Sequence, residues 1–334
     1  MTAIQHADRA AWLAWRRDPE AHRIGASEVA IVLGLSPWRQ PWELWAERCA
    51  PHLVTQQRGA ELDDGQRWEP RALAVYAQEH VQPLLSREPM ALTRSAPPGG
   101  EASYVHPSLP WLHATPDALV CATRAEVWGL LPNLDQIRGL VEIKTDRTIG
   151  ADAAWPADGT EIGDVDSSTP AADWPVPIAY WLQAQAQIVC AGAAWVDLYV
   201  WLPRHSGMPE ARRVRVLPHP GFSGVLDVVE AWRARHLVGG EPPPVLDEDD
   251  AGRMALVRWR YPEPRGSRPA TDEERRLLRR IAARRRRVRD DERAIAVARV
   301  ALAESMGGTG RIFCPDYGSA SRGKRGITVI TKEP

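Results

Sequence analysis

Apolar positions along the 334-residue chain follow two rhythms, and the stretches they govern outline its organisation. Helical spacing governs residues 8–17, where Trp12 and Trp15 stand three apart, and residues 59–81, where Trp68, Ala72, Val75 and Tyr76 share one face. The same spacing recurs over 178–193 and 222–237, the latter ending at Gly239-Gly240. Strand-like alternation governs 141–145, 195–201 and 212–217. In the last of these, arginines alternate with apolar residues, as on an edge strand facing water on one side. Two shorter strands are expected at 84–90 and 102–105, separated by a Pro-Pro-Gly-Gly loop.

Punctuation between these stretches sets the boundaries. Ser27 is placed to cap a helix over 29–33 that Gly34 ends, and Ser36-Pro37 has the order that opens a second helix through Trp42 and Trp45. A helix start presents free N–H groups and the positive end of the macrodipole, so the Arg23/Ser27 corner reads either as a phosphate site or as a plain capped helix beside a solvated arginine. The local pattern favours the plain cap. Residues 122–139 read as a long hairpin connection, and 151–177 as a polar loop leaving directly from the 141–145 strand. His106 and His113, seven apart around a proline-containing loop, read as polar loop residues and not as a ligand pair.

Beyond Gly240 the composition changes. Residues 241–250 are proline-rich and then acidic, 262–269 form a second proline-rich hinge, and Thr271-Asp272-Glu273-Glu274 has the form of a capping box. The helix it opens is expected to run to about Met306, stopped by Gly307-Gly308. Ile281, Val288, Ile295 and Leu302 recur every seven residues, but Arg285 and Arg299 occupy intermediate positions, so the stripe is too narrow for a coiled coil and a helical arm fits better. Residues 271–299 hold eleven arginines against six acids; these arginines either follow a phosphate backbone or solvate the helix. A terminal β-hairpin is expected from 310–318 and 324–331.

Composition adds three constraints. A net charge of −1 says nothing about partners by itself. Four cysteines without a CxxC pair argue against a zinc knuckle or an Fe–S motif and suit reduced thiols in a cytoplasmic protein. Neither a basic leader followed by an apolar run nor a stretch approaching eighteen apolar residues is present, so secretion and membrane insertion are not expected. The 42 basic residues include only three lysines, Lys144, Lys324 and Lys332. A lysine kept beside Glu142 in a chain that otherwise uses arginine points to chemistry needing a compact ammonium on a flexible stem.

That lysine stands in a wider set. Glu142 and Lys144 project from one face of a strand while Val141 and Ile143 pack the other way, and Asp117 follows a proline 25 residues earlier. Were Asp117, Glu142, Lys144, Glu69 and Gln183 to meet, carboxylates and a backbone carbonyl could hold Mg²⁺ or Mn²⁺, and the lysine could orient a water. This is equipment for phosphodiester hydrolysis. Taken singly, an ExK pattern is usually a surface ion pair and Glu69 an exposed helical acid; Pro-Asp, then apolar-E-apolar-K-T, then a Tyr-x-x-Gln helix is far rarer.

Five blocks between about residues 23 and 201 carry a family resemblance: RIGASEVAIVLGLSPW, GQRWEPRALAVY, PWLHATPDAL, LVEIKT and YWLQAQAQIVCAGA. Together they resemble the PD-(D/E)XK nucleases of the YqaJ viral recombinase group, relatives of phage lambda exonuclease. The resemblance implies an α/β restriction-endonuclease-like PD-(D/E)XK core, a central mixed sheet flanked by helices, with a C-terminal basic helical arm and β-hairpin outside it. The implied divisions are a nuclease domain over 1–240, a linker over 241–270 and the arm with its hairpin over 271–334.

It further implies that Asp117 and Glu142 bind the metal with the Ile143 carbonyl, that Lys144 positions the nucleophilic water, that Glu69 serves a metal-bound water or second ion, and that Gln183 lies near the active site. Arg23, Ser27 and Thr115 would bind a terminal 5′ phosphate, Thr115 standing where the lambda-type pattern has serine. The implied activity is Mg²⁺- or Mn²⁺-dependent 5′-to-3′ digestion of linear double-stranded DNA in phage-type recombination. The expected partners are duplex ends and a single-strand annealing protein, in the cytoplasm of a bacterial host carrying a phage or prophage, and the assembly a ring trimer. An endonuclease or a nuclease of other polarity on the same core is the alternative within enzymes, and a non-catalytic DNA-binding module the alternative outside them.

Overall fold

The computed structural model describes residues 2–53, 60–82, 91–94, 101–122, 136–146, 155–163, 174–202, 210–245, 254, 257, 267–314, 318–323 and 326–331. Its contacts gather into two units, Met1–Glu263 and Pro264–Pro334.

The first unit is built on a six-stranded mixed sheet in the order β3-β6-β7-β9-β10-β8: β3 (Ala91–Arg94), β6 (Ala118–Cys121), β7 (Ile137–Thr145), β9 (Val196–Leu202), β10 (Glu210–Val216) and β8 (Glu161–Ile162). The central pair β7/β9 is parallel, as is β10/β8, and the remaining pairs are antiparallel. Every residue of β9 is buried, as expected of a strand covered on both faces. One cover is α4 (Ala60–Tyr76), whose Ala72, Leu73 and Tyr76 pack with Val141, Tyr199 and Trp201. The opposite cover is α5 (Ile178–Ala191), whose Trp181, Leu182 and Ile188 join a larger core with Leu140, Leu198 and Val200. Alternation along β7 therefore aims Val141 and Ile143 at α4, and Leu140, Glu142 and Lys144 at α5.

A buried network ties α4 to the sheet. The Tyr76 hydroxyl donates to Asp197 Oδ2 at 2.7 Å, and Arg215 grips the same fully buried carboxylate through Nε at 2.8 Å and Nη2 at 2.9 Å while stacking on Trp195. Tyr76 lies seven residues beyond Glu69, two helical turns along one face, so the anchor fixes the helix that carries Glu69. Next to it, Gly139 passes under the Trp195 ring so closely that a Cβ would lie 2.3 Å from ring atoms, which only glycine permits.

A second, four-stranded sheet runs β1-β4-β5-β2: β1 (Thr2–His6), β4 (Glu101–Val105), β5 (Leu112–Ala114) and β2 (Ile24–Gly25). The helices α1 (Arg9–Arg16), α2 (Val29–Val32), α3 (Pro41–Cys49) and α6 (Phe222–Trp232) also belong to this unit.

Several expectations change. The strand β1, too short to show alternation, pairs with β4. The strand expected at 102–105 is β4, which joins the small sheet, while β3 pairs with β6 in the large one. Residues 84–90 lie outside the described residues. Ser27 does not cap α2; it sits within the 3₁₀ turn Ala26–Glu28, where the Glu28 carboxylate accepts from the Gly25 N–H at 2.8 Å. The third helix starts at Pro41, not after Ser36, because Gln40 is the extended residue whose N–H bonds to the Glu43 carboxylate. The span 151–177 contains β8, so the far side of β10 is paired and not an open edge. Much of the expected connections at 122–139 and 151–177, and most of the expected linker, fall outside the described residues; residues 241–245 are described, with Val245 packed on the first unit's core.

In the second unit, α7 (Asp272–Met306) begins as the capping box foretells, with Thr271 Oγ1 accepting from the Glu274 N–H and Glu274 accepting from the Thr271 N–H. The expected terminal hairpin is a three-stranded antiparallel meander, β11 (Arg311–Cys314), β12 (Gly318–Gly323) and β13 (Gly326–Thr331). The central strand was hidden by its composition, glycine and serine with little apolar alternation.

Candidate active site

The site forms where two neighbouring strands stop keeping company. The β6/β7 ladder ends at the pair Ala118 and Val141, while β7 stays paired with β9 on its other edge as far as Thr145. Among the described residues the β6-side edge of β7 thus has no backbone partner from residue 142 onward. Asp117, one residue before β6, fills the gap: its Oδ2 accepts from the Ile143 N–H at 2.7 Å. The N–H and C=O of one strand residue point to the same side, so the Ile143 carbonyl opens onto the same notch.

Glu142 is buried at 6% exposure and held by three donors. Lys144 Nζ donates to Oε1 at 2.9 Å, Gln183 Nε2 to Oε1 at 2.6 Å and Gln187 Nε2 to Oε2 at 2.6 Å. Lys144 also donates to Gln183 Oε1 at 2.9 Å, and its ammonium lies 4.7 Å from the Tyr180 ring centre. Tyr180 is itself flanked by Trp155 and by Trp38, the latter 59% exposed. Gln183 and Gln187 reach one carboxylate because they sit one turn apart on α5, whereas Gln185 turns to the Leu217 carbonyl and the His219 N–H.

Electrostatics distinguish the two central charges. Burial, then the Glu142 and Glu69 carboxylates, push Asp117 well above the ordinary carboxylate range, against the Ile143 N–H and Lys144. For Lys144, burial opposes the charge, but Glu142, Tyr180 and Asp117 outweigh it and hold the ammonium above the usual lysine value. Crowded carboxylates with too little positive charge between them suit a divalent cation.

Among the described residues no three His, Cys, Asp or Glu side chains gather into a ready-made ligand cluster. The oxygen set available is therefore Asp117, Glu142 and the Ile143 carbonyl, which fits an ion that keeps several waters, such as Mg²⁺ or Mn²⁺. Three donors leave Glu142 one of its roughly four lone-pair directions free, on Oε2.

Four of the expected residues, Asp117, Glu142, Lys144 and Gln183, are thus gathered directly, and Glu69 comes close enough to act on Asp117. The expected phosphate trio is not joined by any hydrogen bond or ion pair among the described residues. Arg23 donates to the Trp15 carbonyl at 2.6 Å and stacks on its ring, with Asp18 at 3.4 Å. Ser27 is exposed on the 3₁₀ turn, and Thr115 Oγ1 is buried with no hydrogen-bond partner among the described residues.

Sequence reasoning missed two features. Gln187 shares the face of Gln183 and could have been chosen on spacing; among the described residues its Oε1 has no partner and its amide is held by the bond to Glu142. Gln187→Leu should weaken divalent-cation binding at the notch about tenfold, read by calorimetric titration with Mn²⁺, the behaviour of a residue acting through a ligand's orientation. An unchanged Mn²⁺ affinity would remove Gln187 from the site.

The second missed feature is a clamp at the start of the α2 segment. Glu28, 2% exposed, accepts from Arg48 at 2.8 Å and from Gly25 and forms an ion pair with Arg16 at 2.7 Å, while Arg48 also reaches the Arg16 carbonyl. Buried His113 stands opposite Gly25 in the β2/β5 pair and packs edge-on against Trp15. Nothing in the spacing of residues 16, 28, 48 and 113 announces that they converge.

The YqaJ-like viral recombinase domain matches residues 11–194, more than half of the chain. The chain belongs to that family. Its matched region contains Glu69, Asp117, Glu142, Lys144 and both Glu142-binding glutamines. Two solved structures of an alkaline exonuclease from Laribacter hongkongensis are similar to it, at 21% identity with a TM-score of 0.44, and, for the complex with dAMP, at 20% with a TM-score of 0.45. Each covers 68% of this chain and 93% of the exonuclease. No curated protein matches the chain.

Proposed function

We propose that this member of the YqaJ-like recombinase family is a divalent-metal-dependent DNA exonuclease. The observation that carries the reading is the notch beside β7, where Asp117, Glu142 and the Ile143 carbonyl converge with a lysine ammonium held above its ordinary pKa. A bound Mg²⁺ or Mn²⁺ would supply Lewis acidity and neutralise charge at the scissile phosphate. The chain's own residues do the rest. Gln183 and Gln187 fix the Glu142 carboxylate, Asp117 is oriented by the Ile143 N–H, and Lys144 can turn from Glu142 toward a water or a phosphate oxygen as charge develops there. Glu69, on the helix anchored by Tyr76, would hold a water or a second ion.

Direction 5′ to 3′ rests on Arg23, Ser27 and Thr115 as terminal-phosphate residues. With it goes a role in phage-type recombination, in which the exposed strand passes to an annealing protein and the enzyme works as a ring trimer inside the host cell.

The test is a gel of end-labelled linear duplex, with and without a 5′ phosphate, beside covalently closed circles. We expect Mg²⁺-dependent loss of the linear form from 5′ ends and intact circles. Nicked or linearised circles would establish an endonuclease instead, and binding without any metal-dependent cleavage would leave only a DNA-binding module.

A further inference from the structure

The arginine run on α7 lies outside the family match. Residues 275–289 contain nine arginines and no acid, and all nine are exposed. Only Arg275 has an ion pair among the described residues, to Asp272. Nine like charges packed into about four turns repel one another, so a helix of this composition gains from a partner that neutralises them.

The arrangement of these charges narrows the partner. At about 100° per residue, Arg276, Arg279, Arg280, Arg286 and Arg287 fall on one face about 120° wide. Exposed Ile281, Val288 and Ile295 lie on another side, so the basic face is not interrupted by the apolar stripe. Between Arg276 and Arg287 the helix advances about 17 Å, a length over which duplex DNA presents about ten phosphates, one per roughly 1.7 Å of axis.

Three occupants can be compared. Single-stranded nucleic acid is usually held by bases stacked on aromatic rings, and α7 has no Phe, Tyr, Trp or His from Asp272 to Met306. An anionic membrane surface calls for a broad apolar face with aromatic anchors, whereas here the stripe is narrow and aliphatic. A second α7 paired along the stripe would bury Arg285 and Arg299 in the seam, both at the positions a coiled coil needs apolar. A double-stranded phosphate backbone requires none of these features.

We propose that α7 is a second, sequence-independent duplex-binding surface, in which the Arg276, Arg279, Arg280, Arg286 and Arg287 face follows the phosphate backbone of the DNA acted on at the notch. It rests on the nuclease reading only for which duplex is bound; the binding itself does not. The chemistry is charge-assisted hydrogen bonding from guanidinium to phosphate oxygens, with release of condensed counterions.

The 334-residue chain carrying all five arginines as glutamine is to be compared with wild type by fluorescence anisotropy, using a labelled blunt duplex in EDTA over a KCl series. We expect at least about a tenfold weaker affinity near 100 mM salt and a slope of log affinity against log salt smaller by about four. The corresponding five-lysine variant should retain most of both, and circular dichroism should show unchanged helicity.

Unchanged affinity and slope in the glutamine variant would overturn the proposal, as would equal loss in the lysine variant. Unaltered duplex binding accompanied by lost sedimentation with phosphatidylserine vesicles, or by a changed oligomeric mass, would assign the face to a membrane or to a second copy instead. The two readings fail separately. Arm-dependent binding without Mg²⁺-dependent cleavage removes the nuclease, and cleavage with arm-independent binding removes only the arm.

Discussion

Lys144→Ala should reduce digestion of linear duplex by about 10²–10³-fold, the range lost when one pre-positioned charge stabiliser is removed. The fold should survive, because Glu142 keeps the two glutamine donors, one on each oxygen, and so is not left buried and unpaired. Substrate affinity should change little, since the ammonium spends the resting state on Glu142 and Gln183 and turns to the reacting groups only as charge appears.

The more demanding variant is Lys144→Arg. In a chain where arginine serves almost every basic position, this is the conservative swap. Here the ammonium occupies a space bounded by Glu142 Oε1, Gln183 Oε1 and the Tyr180 ring, which a planar five-donor fork cannot share without displacing the carboxylate from the notch. Initial rates, melting temperatures and the Mg²⁺ requirement should show a folded protein nearly as slow as Lys144→Ala. A rate for Lys144→Arg within a few-fold of wild type would refute the role assigned to this side chain.

The second large effect concerns stability. Glu28→Ala should lower unfolding free energy by about 3–5 kcal/mol, because it leaves Arg16 and Arg48 facing each other beside His113 with their shared counter-charge gone. Glu28→Gln, which keeps shape and one acceptor, should cost less. The pH dependence follows with a definite sign. Despite burial, Arg16 and Arg48 hold the Glu28 carboxylate far below its ordinary value near 4.5, so its contribution is present above that pH and is lost as pH falls below it.

His113 adds a second window. Burial, then Arg16, push it down from 6.5 to about 3, so it folds neutral while the unfolded chain takes up a proton. Stability is therefore full above pH 6.5 and declines as pH drops toward 3. Urea midpoints at pH 7, 5.5 and 4 should fall in wild type across both windows. In Glu28→Ala the part below pH 4.5 should flatten, and an identical low-pH decline in both proteins would show that Glu28 is not the titrating group.

Much of the site was already legible along the chain, for a physical reason. A strand places alternate residues on one face, so Glu142 and Lys144 had to project together, and one turn of helix had to align Gln183 with Gln187. The capping box at Thr271 and the stop at Gly307-Gly308 likewise fixed α7 from local backbone chemistry. What is local in physics is visible in order along the sequence. The Pro-Asp signal belongs here as well, but its meaning does not: Asp117 matters because β6 ends at Ala118 while β7 continues, and only strand pairing decides that.

The remaining misreadings share a single cause. Which sheet β3 and β4 join, whether β8 covers the edge of β10, and whether Ser27 caps a helix or sits inside a turn closed by Glu28 are choices among partners of similar local merit. Packing makes those choices through burial that no short window contains. The same is true of Glu28 with Arg16, Arg48 and His113, four residues drawn from nearly one hundred positions. Sequence by itself determined which chemistry the chain can offer at residues 117, 142, 144 and 183. The tertiary structure decided that they meet, which backbone edge is left open beside them, and that the phosphate trio of Arg23, Ser27 and Thr115 is not linked by direct contacts among the described residues, because meeting depends on strand lengths and layer packing instead of spacing.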